Sequence, residues 1–469
     1  MLKKINKLLE KEYFPVSLRI ITFISFLALV YIGFSGSAMN IKFLRQLSLT
    51  NLTTSFVWRV WWPLIILSAI LLGRVWCMAC PVELITSFFS RIGLKLRRPG
   101  WITSGWIMTI FYGVIVTAGI TIVEIDRVPK YTSVYLLSIM GLSVIAGLIF
   151  EKNTFCRYIC PVGYLLGIFS KMAFWGWRVK NKVVCRECPD KSCIKSVYTY
   201  NLSQKSCGVG LFPANIENND QCLLCGGCLK TCRANSMNNP ERPNLAIIRT
   251  GFSEGIINSG PLLIVEWVFL FLLSAHLIDE ISEYRIIYDL GLLIGHGSFM
   301  NYSGLNPGLN KNFMGSVYLF LGLPVLLWFI PYFILLINRI RISVGDYVKN
   351  FSIAFIPVIA GLFAGLIIME IVTRLPYYKY ILHDIRGIDT ARKIITRQIV
   401  IPPASDRLEW GLFIVMILAS VAGIFISYKI IKKIKLRLNL KEARIPLLMA
   451  LPVAFVVIFF AGVIVYRAF

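Results

Sequence analysis

Histidine and acidic side chains are what this chain has least of. Three histidines and 24 Asp and Glu residues are spread over 469 positions, and charged residues of both signs make up only 16%. A soluble chain carries about 25% charged and 45–50% apolar residues, whereas 57% of this one is hydrophobic. That balance excludes an ordinary soluble enzyme and describes a polytopic membrane protein. The histidines, His276, His296 and His383, place no pair at matching depth in two apolar segments, which argues against haem b with paired axial histidines. Neither a nucleophile triad nor a phosphate-binding loop is present. A small-residue cleavage site is missing as well. Lys3, Lys4, Lys7 and Lys11 lead past Pro15 into a full-length apolar run, which reads as a retained first helix.

Lysine and arginine, by contrast, number 49 and give a formal charge of +25. They gather in short segments beside apolar runs, the pattern of the positive-inside rule and of contact with membrane lipids, so a nucleic-acid partner is set aside. Nine runs reach the roughly 20 apolar residues that cross a bilayer: about 17–34, 57–76, 101–123, 132–150, 258–278, 313–338, 351–373, 410–428 and 446–466. Alternation from a cytoplasmic N-terminus puts the basic blocks at Arg91–Arg98 and Lys429–Arg444 inside, with the segment between the fourth and fifth runs. One loop disagrees: 374–409 falls outside yet carries seven basic residues, Arg374 and Arg386 among them. Ionisable residues inside a membrane mark sites or proton routes. Glu266, His276 and Glu370 are the candidates for a quinone and proton site, with a helix-bracing Glu as the competing role.

The twelve cysteines fall into two classes. Eight occupy the polar segment: Cys185, Cys188, Cys193, Cys207, Cys222, Cys225, Cys228 and Cys232. Disulfides suit oxidising compartments, and zinc needs only C-x2-C pairs. The run C-x2-C-x2-C-x3-C from Cys222 is instead the spacing that wraps a 4Fe–4S cube, where the fourth cysteine of each run serves the other cluster. That rule predicts Cys207, Cys222, Cys225 and Cys228 on one cluster, and Cys185, Cys188, Cys193 and Cys232 on a second. The first run is stretched, and a lone zinc site remains its alternative.

The other four cysteines close an internal repeat. RVWCMACPVELITSFFS from Arg74 matches NTFCRYICPVGYLLGIFS from Asn153, and Cys80 and Cys160 are 80 residues apart. Each pair follows a two-span hairpin, so a parallel duplication brings Cys77, Cys80, Cys156 and Cys160 together at one membrane edge. A cluster, another metal, a redox disulfide and inert buried thiols are all open for this set.

RVWCMACP, FCRYICPVG and CLLCGGCLKTC resemble the membrane-bound polyferredoxins of the NapH and NosR type over about residues 15–235. The resemblance implies a four-helix core with two Cys-Pro motifs on the cytoplasmic side and a ferredoxin-like segment after it. It further implies electron transfer between the quinone pool and partner redox proteins in anaerobic respiration. The first pair, C-x2-C-P, is one residue shorter than the family's motif. The expected fold is an all-α polytopic membrane protein with an inserted cytoplasmic segment for two 4Fe–4S clusters. Its domains are 1–177 (four-helix core), 178–250 (ferredoxin-like) and 251–469 (five helices). The expected role is an oxidoreductase subunit between quinol and a partner redox protein. A redox factor for metal maturation or copper handling is the alternative, and an iron–sulfur-gated transporter the third.

Overall fold

The computed structural model describes residues 2–35, 41–120, 123–195, 200, 206–232, 244–284, 286–287, 289–290, 318–402, 404–440 and 443–468. The chain forms two compact units, residues 1–256 with 374–402, and residues 257–373 with 403–469. Among the described residues, seven helices are long and apolar enough to cross a membrane: Val16–Phe34, Leu52–Leu72, Pro129–Ile149, Tyr318–Ile337, Val344–His383, Asp406–Arg437 and Ile445–Tyr466. The two remaining predicted runs are also helical. Residues 101–123 yield the shorter apolar helix Trp106–Ile120, which starts after the left-handed Gly105. Residues 258–278 yield Ile264–Ser282, which carries Glu266, Asp279 and Glu280.

In the first unit, the two Cys-Pro motifs follow one plan. A short helical turn, α over Val75–Ala79 and π over Phe155–Ile159, precedes an extended cysteine, and proline then opens the next helix, Pro81–Ile92 or Pro161–Ser170. Proline causes both features: it biases the preceding residue away from helical angles, and it is preset for the first helical position. Cys80 and Cys160 accordingly have ψ of 129° and 112°. Hydroxyl groups knit the spans together, as Ser133 Oγ donates to the Val30 carbonyl at 3.0 Å and Thr53 Oγ1 to that of Leu29 at 2.6 Å.

Residues 374–402 return to the first hairpin. Leu52 N donates to the Ile385 carbonyl, Thr50 Oγ1 to that of Gly387 and Asn51 Nδ2 to that of Arg386, all at 2.9–3.0 Å. The basic loop that broke the charge pattern therefore packs at the start of helix Leu52–Leu72, the end remote from the Cys-Pro motifs.

The ferredoxin-like segment is framed by strand β1, Trp175–Val179, paired antiparallel with β2, Leu245–Arg249, with Trp177 opposite Ile247. The helix Leu2–Leu9 closes it. Asn6 exchanges two hydrogen bonds with the Ile247 backbone, at 2.8 and 3.0 Å. Leu9 is buried with Trp177, Leu224, Cys228, Leu229 and Leu245. Gly226 has φ of +73°, and a Cβ there would lie 2.9 Å from that of Leu9. Gly226→Ala should lose about 1–2 kcal/mol from the left-handed conformation, with the clash added. Thermal bleaching of visible absorbance should then begin at a lower temperature than in the control Gly100→Ala, where a Cβ meets nothing within 4 Å.

The second unit packs around Trp328, whose ring lies 5.4 Å from those of both Phe355 and Phe455. Its indole N–H donates to Ser274 Oγ at 3.2 Å.

Candidate metal centre at the cysteines

The turn bearing Cys77 and Cys80 is fastened to the first span from behind. Arg19 Nε donates to the Met78 carbonyl at 2.8 Å, and Thr22 Oγ1 to that of Ala79 at 2.5 Å. The second motif is tightened by Gly163 N, which donates to Cys160 Sγ at 3.3 Å. Because both motifs are helix starts of one hairpin repeat, they converge. Cys77, Cys80, Cys156 and Cys160 line a single cavity of about 60 Å³, with Arg74 at its wall and Trp61, Trp76 and Tyr135 among its apolar lining.

Two buried charges flank these thiols. Arg19 and Glu83, 0% and 2% exposed, form an ion pair inside the protein. Asn153 Nδ2 donates to Glu83 Oε1 at 2.5 Å, and Asn153 N to the Gly208 carbonyl at 2.9 Å. Arg74 Nη1 donates to the Asp220 carbonyl at 2.8 Å. Arg157 reaches the Val209 carbonyl and Gln221 Oε1, at 2.7 and 2.5 Å. Arginines of both repeat halves thus clasp the loops that carry Cys207 and Cys222.

Cys207, Cys222, Cys225 and Cys228 line a second cavity of about 20 Å³, and Glu83 and Leu223 belong to the walls of both cavities. The loop curls around it because Leu224 and Gly226 both take positive φ, 54° and 73°. Leu211 N donates to Cys207 Sγ at 3.2 Å. The remaining soluble cysteines form a third group, in which Cys193 interacts electrostatically with Cys232, Cys185 and Cys188. Asn244 Nδ2 donates to Cys185 Sγ at 3.2 Å, and Cys207 N to the Cys193 carbonyl at 2.9 Å, which ties this group to its neighbour.

Burial pushes the Cys222 and Cys193 thiols up to about 12 and raises those of Cys185, Cys225 and Cys228. Such sites hold neutral thiols until a cation replaces the protons. Among the described residues no three Cys, His, Asp or Glu side chains close around a single metal ion. Thiols grouped by fours, with N–H donors on the sulfurs of Cys160, Cys207 and Cys185, have the donor set of a four-iron cube.

The ionisable residues of the second unit are not assembled in the same way. Glu266, expected near mid-span, lies in the first turn of helix Ile264–Ser282, where its Oε2 accepts from Leu263 N at 2.8 Å. Pro261 delays the helix start, and the carboxylate then caps the positive end of the dipole. His276 is buried ten residues further along, about 15 Å of helical rise away. Glu370 accepts a hydrogen bond from the Tyr284 hydroxyl, beyond the other end of that helix. His383 ends helix Val344–His383, and His296 lies outside the described residues. Inspection of the sequence missed Arg19, Arg74, Glu83 and Asn153. For Arg74, Glu83 and Asn153 the usable signal was a polar residue three positions from a cysteine of the repeated motif; Arg19 offered none.

The family described as "4Fe-4S binding domain" matches residues 54–99 and 132–183. Each block contains one Cys-Pro motif, so all four membrane-edge cysteines lie within the match, and the soluble ones, from Cys185 onward, lie beyond it. Protein NirI of Paracoccus denitrificans is 31% identical over 91 residues, 19% of this chain and 12% of that one. The chain carries this 4Fe–4S binding domain over the two blocks. Two uncharacterized proteins of Methanocaldococcus jannaschii are similar too. MJ0749 is 25% identical over 181 residues, 37% of this chain and 66% of its own. MJ0750 is 29% identical over 89 residues, 19% and 31% of the two lengths. The chain thus spans less than two thirds of each of these relatives, and no solved structure matches it. Its apolar helices make it a multi-pass membrane protein, and the domain it matches is one that binds 4Fe–4S clusters.

Proposed function

We propose that this protein relays electrons between the quinone pool and a partner redox protein, with its N-terminus and ferredoxin-like segment on the cytoplasmic side. Cys207, Cys222, Cys225 and Cys228 would hold one 4Fe–4S cluster. Cys185, Cys188, Cys193 and Cys232 would hold a second, and Cys77, Cys80, Cys156 and Cys160 a further metal or redox centre at the membrane edge. Bound clusters supply one-electron storage at potentials set by hydrogen bonds and burial. The protein contributes N–H donors to the sulfurs and a dry surrounding. The observation that carries this reading is the shared wall. Glu83 and Leu223 line both the membrane-edge cavity and the first soluble one, so the two cavities share a wall of protein. His276 and the Glu370–Tyr284 pair are the proton-handling candidates for quinol oxidation, which releases two protons per turnover; Glu266, as a helix cap, is the weaker one.

A soluble quinol added to the anaerobic protein tests this. Visible absorbance should bleach on quinol addition, and Glu370→Gln should slow the bleaching by about a hundredfold or more, the range of a proton-transfer group. Clusters that dithionite reduces but quinol does not would sink the respiratory reading, and impaired metal delivery in a deletion strain would then favour maturation of an external metal centre.

A further inference from the structure

The two halves of the hairpin repeat exchange contacts crosswise. Arg74 and Asn153 each stand three residues before the first cysteine of their motif, and Glu83 and Gly163 three residues after the second. Asn153 of the second half meets Glu83 of the first, Nδ2 to Oε1 at 2.5 Å. Arg74 of the first half meets Gly163 of the second: its Nη2 lies 2.9 Å from where a Cβ of Gly163 would stand. Matching positions therefore pair about an approximate twofold, but with opposite chemistry. One crossing holds a carboxylate, already closed by Arg19 and Asn153. The other holds a cation, and where its partner half would offer a carboxylate there is glycine.

Arg74 is thus a buried charge without an acidic mate at that crossing. It is 3% exposed; Nη1 is used on the Asp220 carbonyl, while Nε and Nη2 are buried without a nitrogen or oxygen partner. The groups it interacts with are thiols, Cys77 foremost, then Cys160 and Cys156. A guanidinium does not give up its proton in a protein, and an uncompensated buried charge is costly. Neutral thiols do not balance it, and neither does a disulfide. Four thiolates around a metal centre carry net negative charge and do.

We propose that the four membrane-edge cysteines hold an anionic metal–thiolate centre whose built-in counter-cation is Arg74, with Gly163 leaving the space that the guanidinium occupies. This rests on the relay reading only in placing a centre at these cysteines. One-electron reduction of such a centre adds a negative charge, which the fixed cation favours. Removing the cation therefore makes reduction harder.

The test uses the full chain purified without oxygen, as wild type, Arg74→Lys, Arg74→Gln and Gly163→Ala. Iron and sulfide content, alkylation of individual cysteines and dithionite titrations followed by EPR are measured on each. In wild type, Cys77, Cys80, Cys156 and Cys160 should resist alkylation, and metal should exceed what the two soluble clusters account for. Arg74→Gln should either lose that excess, with the four cysteines becoming alkylated, or keep it at a more negative potential. Arg74→Lys should stay closer to wild type. The soluble-cluster signals serve as the internal check on folding. If Arg74→Gln lacks them, Gly163→Ala decides, because it displaces the guanidinium while keeping the charge in the chain. The same loss or shift is then expected. Alkylated or disulfide-linked cysteines in wild type would overturn the centre. A centre unmoved in Arg74→Gln, or in Gly163→Ala where that variant decides, would overturn the role of Arg74. Failure of quinol to reduce a centre that does respond to Arg74 would overturn the relay reading alone.

Discussion

Cys228→Ser should remove one cluster's worth of iron, about four atoms per chain, and unfold the soluble segment with it. Cys228 is 9% exposed and belongs to the core that unites Leu9, Trp177, Leu224, Leu229, Leu245 and Ile247. That core joins the N-terminal helix, the β ribbon and the cysteine loop, yet it has few large side chains for so long a segment. Small domains of this kind draw folding energy from bound metal, on the order of 10 kcal/mol for a structural site. The loss should therefore appear twice: as missing iron, and as rapid proteolysis between Val179 and Leu245. Cys80→Ser at the membrane edge should leave the soluble clusters' EPR signals in place, because its helix start is held separately by Arg19 and Thr22. Unchanged iron in Cys228→Ser, or one zinc and no iron in the wild type, would refute the cluster assignment.

The second large effect should follow from Glu83→Ala. Arg19 is fully buried and Glu83 is 2% exposed, so deleting the carboxylate leaves a guanidinium and the Asn153 amide without their anion. Breaking a buried pair from one side costs about 3–5 kcal/mol. The matched control is Glu151→Ala, which removes the partner of Arg98 at 3.1 Å, where the two groups are 29% and 16% exposed. Pairs open to water are worth about 0–1 kcal/mol. Thermal denaturation in detergent should show a clear drop for Glu83→Ala and almost none for the control. Equal shifts would mean that the Arg19–Glu83 pair is solvated. Since Glu83 also walls both cysteine cavities, its loss should loosen the soluble segment from the membrane core as well.

Much of this architecture was legible in one dimension because the rules behind it are local. Apolar run length follows bilayer thickness, proline dictates the turn at each Cys-Pro pair, and a cluster loop needs three cysteines within a few residues. Those rules found the helices of the membrane core and the duplicated hairpin. They failed where a residue's role depends on its partner. Glu266 looked like an intramembrane carboxylate because hydropathy does not register Pro261 as the delay before the helix start. Nor does run length show that residues 385–387 return to Thr50, Asn51 and Leu52, more than 300 residues earlier.

The sequence by itself determined that this protein spans a membrane many times, that it carries two Cys-Pro hairpins related by duplication, and that its polar segment is spaced for iron–sulfur ligation. Only the tertiary structure decided which cysteines face one another, that Glu83 and Leu223 wall two cavities at once, and that Arg74 crosses to Gly163 while Asn153 crosses to Glu83. The physical reason is that spacing along a chain sets local turns and helix starts. Compensation of a buried charge is settled only by whatever the fold brings within a few ångströms of it.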